Sequence, residues 1–284
     1  MQIQTTVMAV VAISLLTVTA IFAQFLVRKL FKQEDLLEHS SILEPLLGVV
    51  GTLFSVLLGF LVAGAMERYH DARVNVDLEA NAVGDVFRLA RGLDEQDRIR
   101  IRSSCRQYVT DVLDDEWKLM ESNKSSDKAQ EEYQKLWDAA LSVQPQNERI
   151  TNIHQTILSS MQSIGENRRM RIVSSQHGLS EMQWLVVMLG SAITVIFTLF
   201  FPMKKALFHL ILTLLVTLSL GLNIWLLSAY STPFAGEMRI VPYMFQLLRD
   251  QTFKSDDSAP RFLPQSSLNH VRRCMINHQQ IRGS

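Results

Sequence analysis

The chain has 284 residues, 28 basic and 28 acidic, and therefore no formal net charge. That balance gives no support to a general polyanion-binding role, nucleic acid included. The charges are unevenly distributed along the chain, and four long stretches are almost free of them.

Crossing a bilayer core takes about 20 residues of apolar helix. Thr5 to Val27 meets that length without a charged residue. Val18-Thr19-Ala20 is a passable signal-peptidase site, yet no basic residue precedes the run. The run also exceeds a signal core of about 7–15 residues, so a retained membrane helix is expected. Leu46 to Met66 follows Pro45, a residue tolerated in a first helical turn. Met182 to Phe201 stops at Pro202, and Ala206 to Tyr230 follows after a tight turn. These runs define a multi-pass protein whose solvent is the lipid bilayer.

The second run does not end where the membrane does. "LLGFLVAGAMERYHDARVNVDLEANAV", Leu57 to Val83, passes from uncharged to charged sequence without a proline. Past the bilayer Val76, Ala80, Val83, Phe87 and Ala90 recur at threes and fours, the mark of one buried helix face. A single helix is expected from Leu46 to about Arg91, near 70 Å long.

Asp94 is a natural N-cap for the next helix, with Glu95 and Asp97 in its first turn. Ile101, Cys105, Tyr108, Val112 and Met120 fall near one stripe, with Trp117 beside it. Ser125 or Ser126 caps a shorter helix carrying Tyr133, Leu136, Trp137 and Ala140. "VQPQNE" breaks the chain before a last soluble helix on Ile150, Ile153, Ile157, Met161 and Ile164. The expected fold is all-α, four transmembrane helices with a helical bundle between the second and third, the second helix running on into the bundle. The expected units are residues 1–66, transmembrane helices one and two, and 67–181, the soluble bundle. Residues 182–230 are transmembrane helices three and four, and 231–284 a partly flexible C-terminal tail.

Cys105 and Cys274 lie far apart with no CxxC, and the histidines are scattered, so no metal or other cofactor is expected. No nucleophile–base pair or phosphate loop appears, and no enzyme is expected. Gly48, Thr52, Ser55, Gly59 and Ala63 form a small-residue stripe on the second helix. Such a stripe serves close helix packing or a pore wall. Glu67, Arg68, His70, Asp71 and Arg73 crowd the exit of that helix. They read as interfacial anchors with local ion pairs, or, around an axis, as a pore mouth where Arg68 or Arg73 forms a positive ring. Arg98, Arg102 and Arg106 step along one face, solvated or lining a vestibule, and Asp114-Asp115-Glu116 read as a polar face. Glu79 and Glu116 sit in otherwise amphipathic helices and are expected to pair with arginines such as Arg168, Arg169 and Arg171.

"LLGFLVAGAMERYHDAR", "EANAV", "RQYVTDVLDDEW", "RRMRI" and "STPFAGEMRIVP" occur in the order found in bacterial bestrophin-like membrane proteins, which this chain resembles from about Leu46 to Phe245. Through them it distantly resembles the bestrophins, pentameric anion channels. The resemblance implies a homo-oligomer, a pentamer, in the bacterial inner membrane, with small anions as partners. The bestrophin pore helix carries an "LGF" element and a neck of residues four apart. Matched through Leu58-Gly59-Phe60, the neck positions here are Thr52, Val56 and Phe60, with Thr52 a polar departure. Pro233 to Glu237 is similar to the start of the bestrophin calcium clasp, but Met238-Arg239 follow in place of an acidic run. Calcium takes about six to eight oxygen ligands, so no calcium site is expected there.

Arg28, Lys29, Lys32, Lys204 and Lys205 lie on the two short loops. The positive-inside rule weights short loops most and sets these in the cytoplasm. The resemblance implies the opposite orientation, with a cytosolic bundle. The expected function is an oligomeric, anion-conducting ion channel with the second helix lining the pore. The alternative is a non-conducting sensor or assembly partner whose bundle binds another protein.

Overall fold

The computed structural model describes residues 2–31, 40–203, 205–236 and 238–254, and within them it is all-helical, with no strand. Helix α1 spans Gln2–Leu30 and α2 spans Ser40–Leu89, 50 residues without interruption. At about 1.5 Å per residue α2 is near 75 Å long, more than twice a hydrocarbon core. It begins earlier than its apolar run suggests, so Pro45 lies inside the helix rather than at its start. A 3₁₀ turn, Ala90–Gly92, closes it.

Helix α3, Glu95–Asp111, starts at Asp94, whose carboxylate accepts from the Asp97 amide at 2.9 Å. A π-helical turn, Val112–Glu116, leads from it into the short α4, Trp117–Met120. Ser126 caps α5, Asp127–Leu141, and Asn147 caps α6, Glu148–Gln176. A reciprocal Ser180–Gln183 capping box opens α7, Glu181–Leu199, and α8 spans Ala206–Ser231. After the fourth span come α9, Tyr243–Leu247, and a second π turn, Leu248–Phe253. Among the described residues four helices are long and apolar enough to cross a membrane: α1, α2, α7 and α8.

Outside the membrane α2 packs along α6, and α3 packs along α5. Val76, Val83, Phe87, Ile101, Ile157 and Ile164 are fully or almost fully buried in one shared core. Within the membrane α1 lies antiparallel to α8, where a Cβ on Gly221 would come within 3.0 Å of Ile13. Gly190 on α7 admits the Phe54 ring so closely that a Cβ there would lie 2.2 Å from it. The described residues that flank the two short loops meet at one end. The Arg28 Nη1 donates to the Met203 carbonyl at 3.2 Å and reaches His209 Nδ1 at 3.2 Å. His209 Nε2 lies 3.0 Å from the Thr198 carbonyl, which can only accept, so the ring carries its proton on Nε2 and offers Nδ1 to Arg28. Phe31 and Phe200 stack edge to face at the same end, 5.4 Å apart. Tyr69 and Tyr230 do so at the other, 5.2 Å apart, an aromatic pair where α2 and α8 leave the bilayer.

Candidate functional site

Among the described residues only one side of α2 is covered in the membrane. Phe54 and Leu58 are buried, packed with Val187 and Leu227. The opposite side is open. Thr52 is exposed, and its hydroxyl donates to the Gly48 carbonyl at 2.7 Å. Val56 is 52% exposed and Phe60 74%. A Cβ added at Gly48 or Gly59 would meet nothing within 4 Å, so among the described residues the small-residue stripe packs against nothing at these positions. The open face continues beyond the bilayer, where Val74 and Leu78 remain exposed although lipid no longer surrounds them.

The sequence-derived neck residues therefore share one open face, and the mouth charges do not all belong to it. Helix geometry turns each residue by about 100°, which puts Glu67 within roughly 20° of the line through Val56. The same count turns Arg68 and Arg73 away from that line by roughly 120° and 100°, on opposite sides. Glu67, Arg68, His70, Asp71 and Arg73 are all exposed. Among the described residues none of them forms an ion pair, so the local pairing expected at this exit is not made among those residues. The Arg68 guanidinium folds back along the helix, its Nη1 4.0 Å from where a Gly64 Cβ would stand.

A second concentration of charge lies wholly inside the soluble bundle. Arg171 on α6 is fully buried; its Nε and Nη2 donate to the two Glu79 oxygens at 2.7 and 3.0 Å, and Nη2 also reaches Glu116 at 2.7 Å. Arg168 donates to the other Glu116 oxygen at 2.6 Å and to Gln130. The Tyr108 hydroxyl donates to Glu79 at 2.5 Å. Burial lowers the Arg171 affinity for its proton, but Glu79 and Glu116 outweigh it and hold the guanidinium well above its ordinary pKa. Burial, with the Glu79 charge beside it, pushes the Tyr108 hydroxyl well above the ordinary phenol. Two carboxylates and two guanidiniums balance, so the cluster is an ionic core tying the membrane-continuous α2 to the helix that leads back to the third span.

The expected pairing of Glu79 and Glu116 with arginines is present, and it is Arg168 and Arg171 that turn inward. The sequence does hold the signal: both continue the Ile157, Met161, Ile164 stripe at steps of three and four. Asp114-Asp115-Glu116 is not one polar face. The π turn swings Glu116 into the core, leaves Asp115 to accept from Ser126, and sets Asp114 3.4 Å from Arg249. Arg102 is likewise no solvated residue, since its guanidinium lies 4.0 Å over the Phe87 ring. Arg106 stacks on Phe87 and Phe253 and donates to the Phe253 carbonyl at 3.4 Å. Among the described residues no group of three His, Cys, Asp or Glu side chains could hold a metal ion. Glu237, the acidic residue at the clasp-like segment, and Cys274 lie outside the described residues.

The chain superimposes on a mutant bacterial Bestrophin homolog from Klebsiella pneumoniae with a TM-score of 0.67. The match covers 87% of this chain and 99% of that one at 10% identity, a likeness of fold. No curated protein matches the sequence. A Bestrophin-like domain profile matches residues 7–245, spanning all four membrane helices and the bundle, and the chain belongs to the Bestrophin-like family.

Proposed function

We propose that this protein is an oligomeric membrane ion channel in which copies of α2 surround the conduction axis. The observation that carries this reading is the continuous open face of α2, from Thr52 through Val56 and Phe60 to Val74 and Leu78. In lipid an exposed apolar face is ordinary. In the water-facing half of the helix, exposed Val74 and Leu78 call for cover by another copy or for a wide vestibule. One unbroken helix then joins a membrane pore rigidly to a soluble antechamber. Family likeness favours five copies and small anions, in the inner membrane of a bacterium.

The test is conductance and assembly together. Purified protein is expected to run as a discrete homo-oligomer in mild detergent and to give unitary currents in planar bilayers. A well-assembled oligomer with no current under any ion gradient would instead support the non-conducting sensor.

A further inference from the structure

We infer that each copy of the chain binds water inside its membrane domain, in a polar seam of α1, α7 and α8 lined by Gln24, Thr213 and Ser191. The site is separate from the open face of α2, and it stands whether or not the protein conducts. Gln24 is 3% exposed, Ser191 7% and Thr213 fully buried. Among the described residues nothing completes a hydrogen bond to Gln24 Oε1, Ser191 Oγ or Thr213 Oγ1. All three lie in helices long and apolar enough to cross the bilayer, where lipid offers them no partner.

A hydroxyl on a membrane helix has a local solution, donation to the carbonyl one turn back. Thr17, Thr194, Thr198 and Thr217, on the same three helices, all take it at 2.8–2.9 Å. Thr213 and Ser191 do not. Contacts between the helices set their register. A Cβ on Gly221 would come within 3.0 Å of Ile13, and Arg28 meets His209 nearer the short loops. Counted from the Gly221 contact, Gln24 stands roughly 16 Å towards the short loops and Thr213 roughly 12 Å. Side chains tilt towards the N-terminus of their own helix, and α1 and α8 are antiparallel, so these two lean towards each other. Their difference in level is within reach of a glutamine side chain, yet they do not bond directly. His209 Nε2 reaches the Thr198 carbonyl on α7. Counted from that contact, Thr213 lies roughly 6 Å in and Ser191 roughly 10 Å, so Ser191 continues the seam one step deeper.

The chemistry of the seam selects its guest. Gln24 Oε1 only accepts, whereas the Thr213 and Ser191 hydroxyls both donate and accept. An anion is repelled by the Gln24 oxygen. A metal ion faces the Arg28 guanidinium, one turn from Gln24, across a low-dielectric interior. An apolar guest leaves every one of these groups unsatisfied. Water is small and neutral, donates to Gln24 and exchanges bonds with the hydroxyls, and a buried water takes about two to four such partners. It joins α1 to α8 in the half of the membrane that ends at Arg28, Met203 and His209.

The experiment takes the full-length protein in mild detergent and reads thermal stability together with radiolytic labelling in oxygen-18 water. X-ray pulses split water where it sits, and the radicals label the side chains beside it. His209 is the reporter, because it is 1% exposed and lies one turn from Thr213. In wild type His209 is expected to take up the heavy oxygen. In Thr213→Val, a change of nearly equal shape, it is expected to lose the label. Thr213→Val should also melt lower by about 2–4 °C, the order of one hydrogen bond in a domain of this size. A hydroxyl without a guest predicts the opposite sign, because valine then removes a buried polar atom that nothing satisfies. A midpoint unchanged or raised in Thr213→Val therefore overturns the inference. So does a wild-type His209 that stays unlabelled while exposed residues of the bundle are labelled. Thr217→Val removes a hydroxyl already bonded within its helix and should leave the label in place; its loss there too overturns the assignment to Thr213. If Thr213→Val does not assemble, the wild-type label and the same two readings on Ser191→Ala decide.

Discussion

Among the residues whose burial is described, Phe60 is the most exposed large apolar residue of the two membrane helices that flank the bundle, 74% exposed on a face that α7 and α8 leave bare. A phenylalanine against lipid would be unremarkable. A ring of phenylalanines around an axis would narrow it and exclude water, as hydrophobic gates do. Phe60→Ala is therefore expected to raise unitary conductance or loosen gating while assembly stays intact. Equal single-channel currents from wild type and Phe60→Ala, in equally assembled protein, would place the ring in lipid. Cys105 makes a contrasting case at the same scale. It is fully buried, and burial pushes its thiol up to about 12, against the pull of Arg102 and Arg106. A thiol stabilised in its neutral form favours the fold below the unfolded pKa of about 8.5, and that contribution fades as pH rises from there towards 12. With Cys274 replaced by serine, Cys105 is expected to resist maleimide at pH 8 until the protein is denatured. Rapid modification of the native protein would show that the α2–α3 core opens easily.

The elements are legible in the sequence wherever caps and periodicity agree, and less so where backbone geometry changes type. Asp94, Ser126 and the break before Asn147 each announce a helix, and each helix starts where its cap stands. The π turn at Val112–Glu116 has no such announcement. One extra residue in a helical turn rotates every side chain beyond it, so a stripe counted at steps of three and four loses phase there, and Glu116 reads as part of a polar face. The candidate neck positions Thr52, Val56 and Phe60 come from family likeness alone, and the charges at the exit of α2 cannot be sorted that way. Assigning its charges takes the angular position of each residue relative to the covered side of α2, which only the packing of Phe54 and Leu58 reveals. The ionic core that the π turn completes should be costly to break. Arg171→Met leaves Glu79 and Glu116 buried with one cation fewer, and destabilisation of about 3 kcal/mol or more is expected. A melting midpoint in detergent close to wild type would mean that the bundle does not depend on the cluster. Gly165→Ala tests the same helix by shape alone, because its Cβ would fall 2.2 Å from the Tyr133 hydroxyl. A loss of about 1–3 kcal/mol is expected as α5 and α6 move apart, read from the same melting curves.

At the scale of the whole molecule, one question of sidedness decides what the soluble bundle can meet. The two short loops are brought to a single end by Arg28, Met203 and His209, and the bundle stands at the other. Arg28, Lys29 and Lys205 therefore act from the same side of the membrane, and the positive-inside rule counts such short-loop charges most heavily. Arg168 and Arg171, which would weigh for the opposite orientation, are buried in the ionic core and neutralised by Glu79 and Glu116. The exit of α2 carries Glu67, Arg68, Asp71 and Arg73, two charges of each sign, and exposed Arg169 and Glu181 on the return to the third span add one more of each. The balance of charge thus favours short loops in the cytoplasm and a bundle on the far side. Ser122, exposed in the turn between α4 and α5, offers a handle on the bundle. In a background with Cys105 and Cys274 replaced, Ser122→Cys is expected to react with a membrane-impermeant maleimide in spheroplasts without lysis. Lys205→Cys, on the opposite end, should react only after the membrane is opened. The reverse pattern would mean that the family orientation prevails over the loop charges, and that the bundle stands in the cytoplasm.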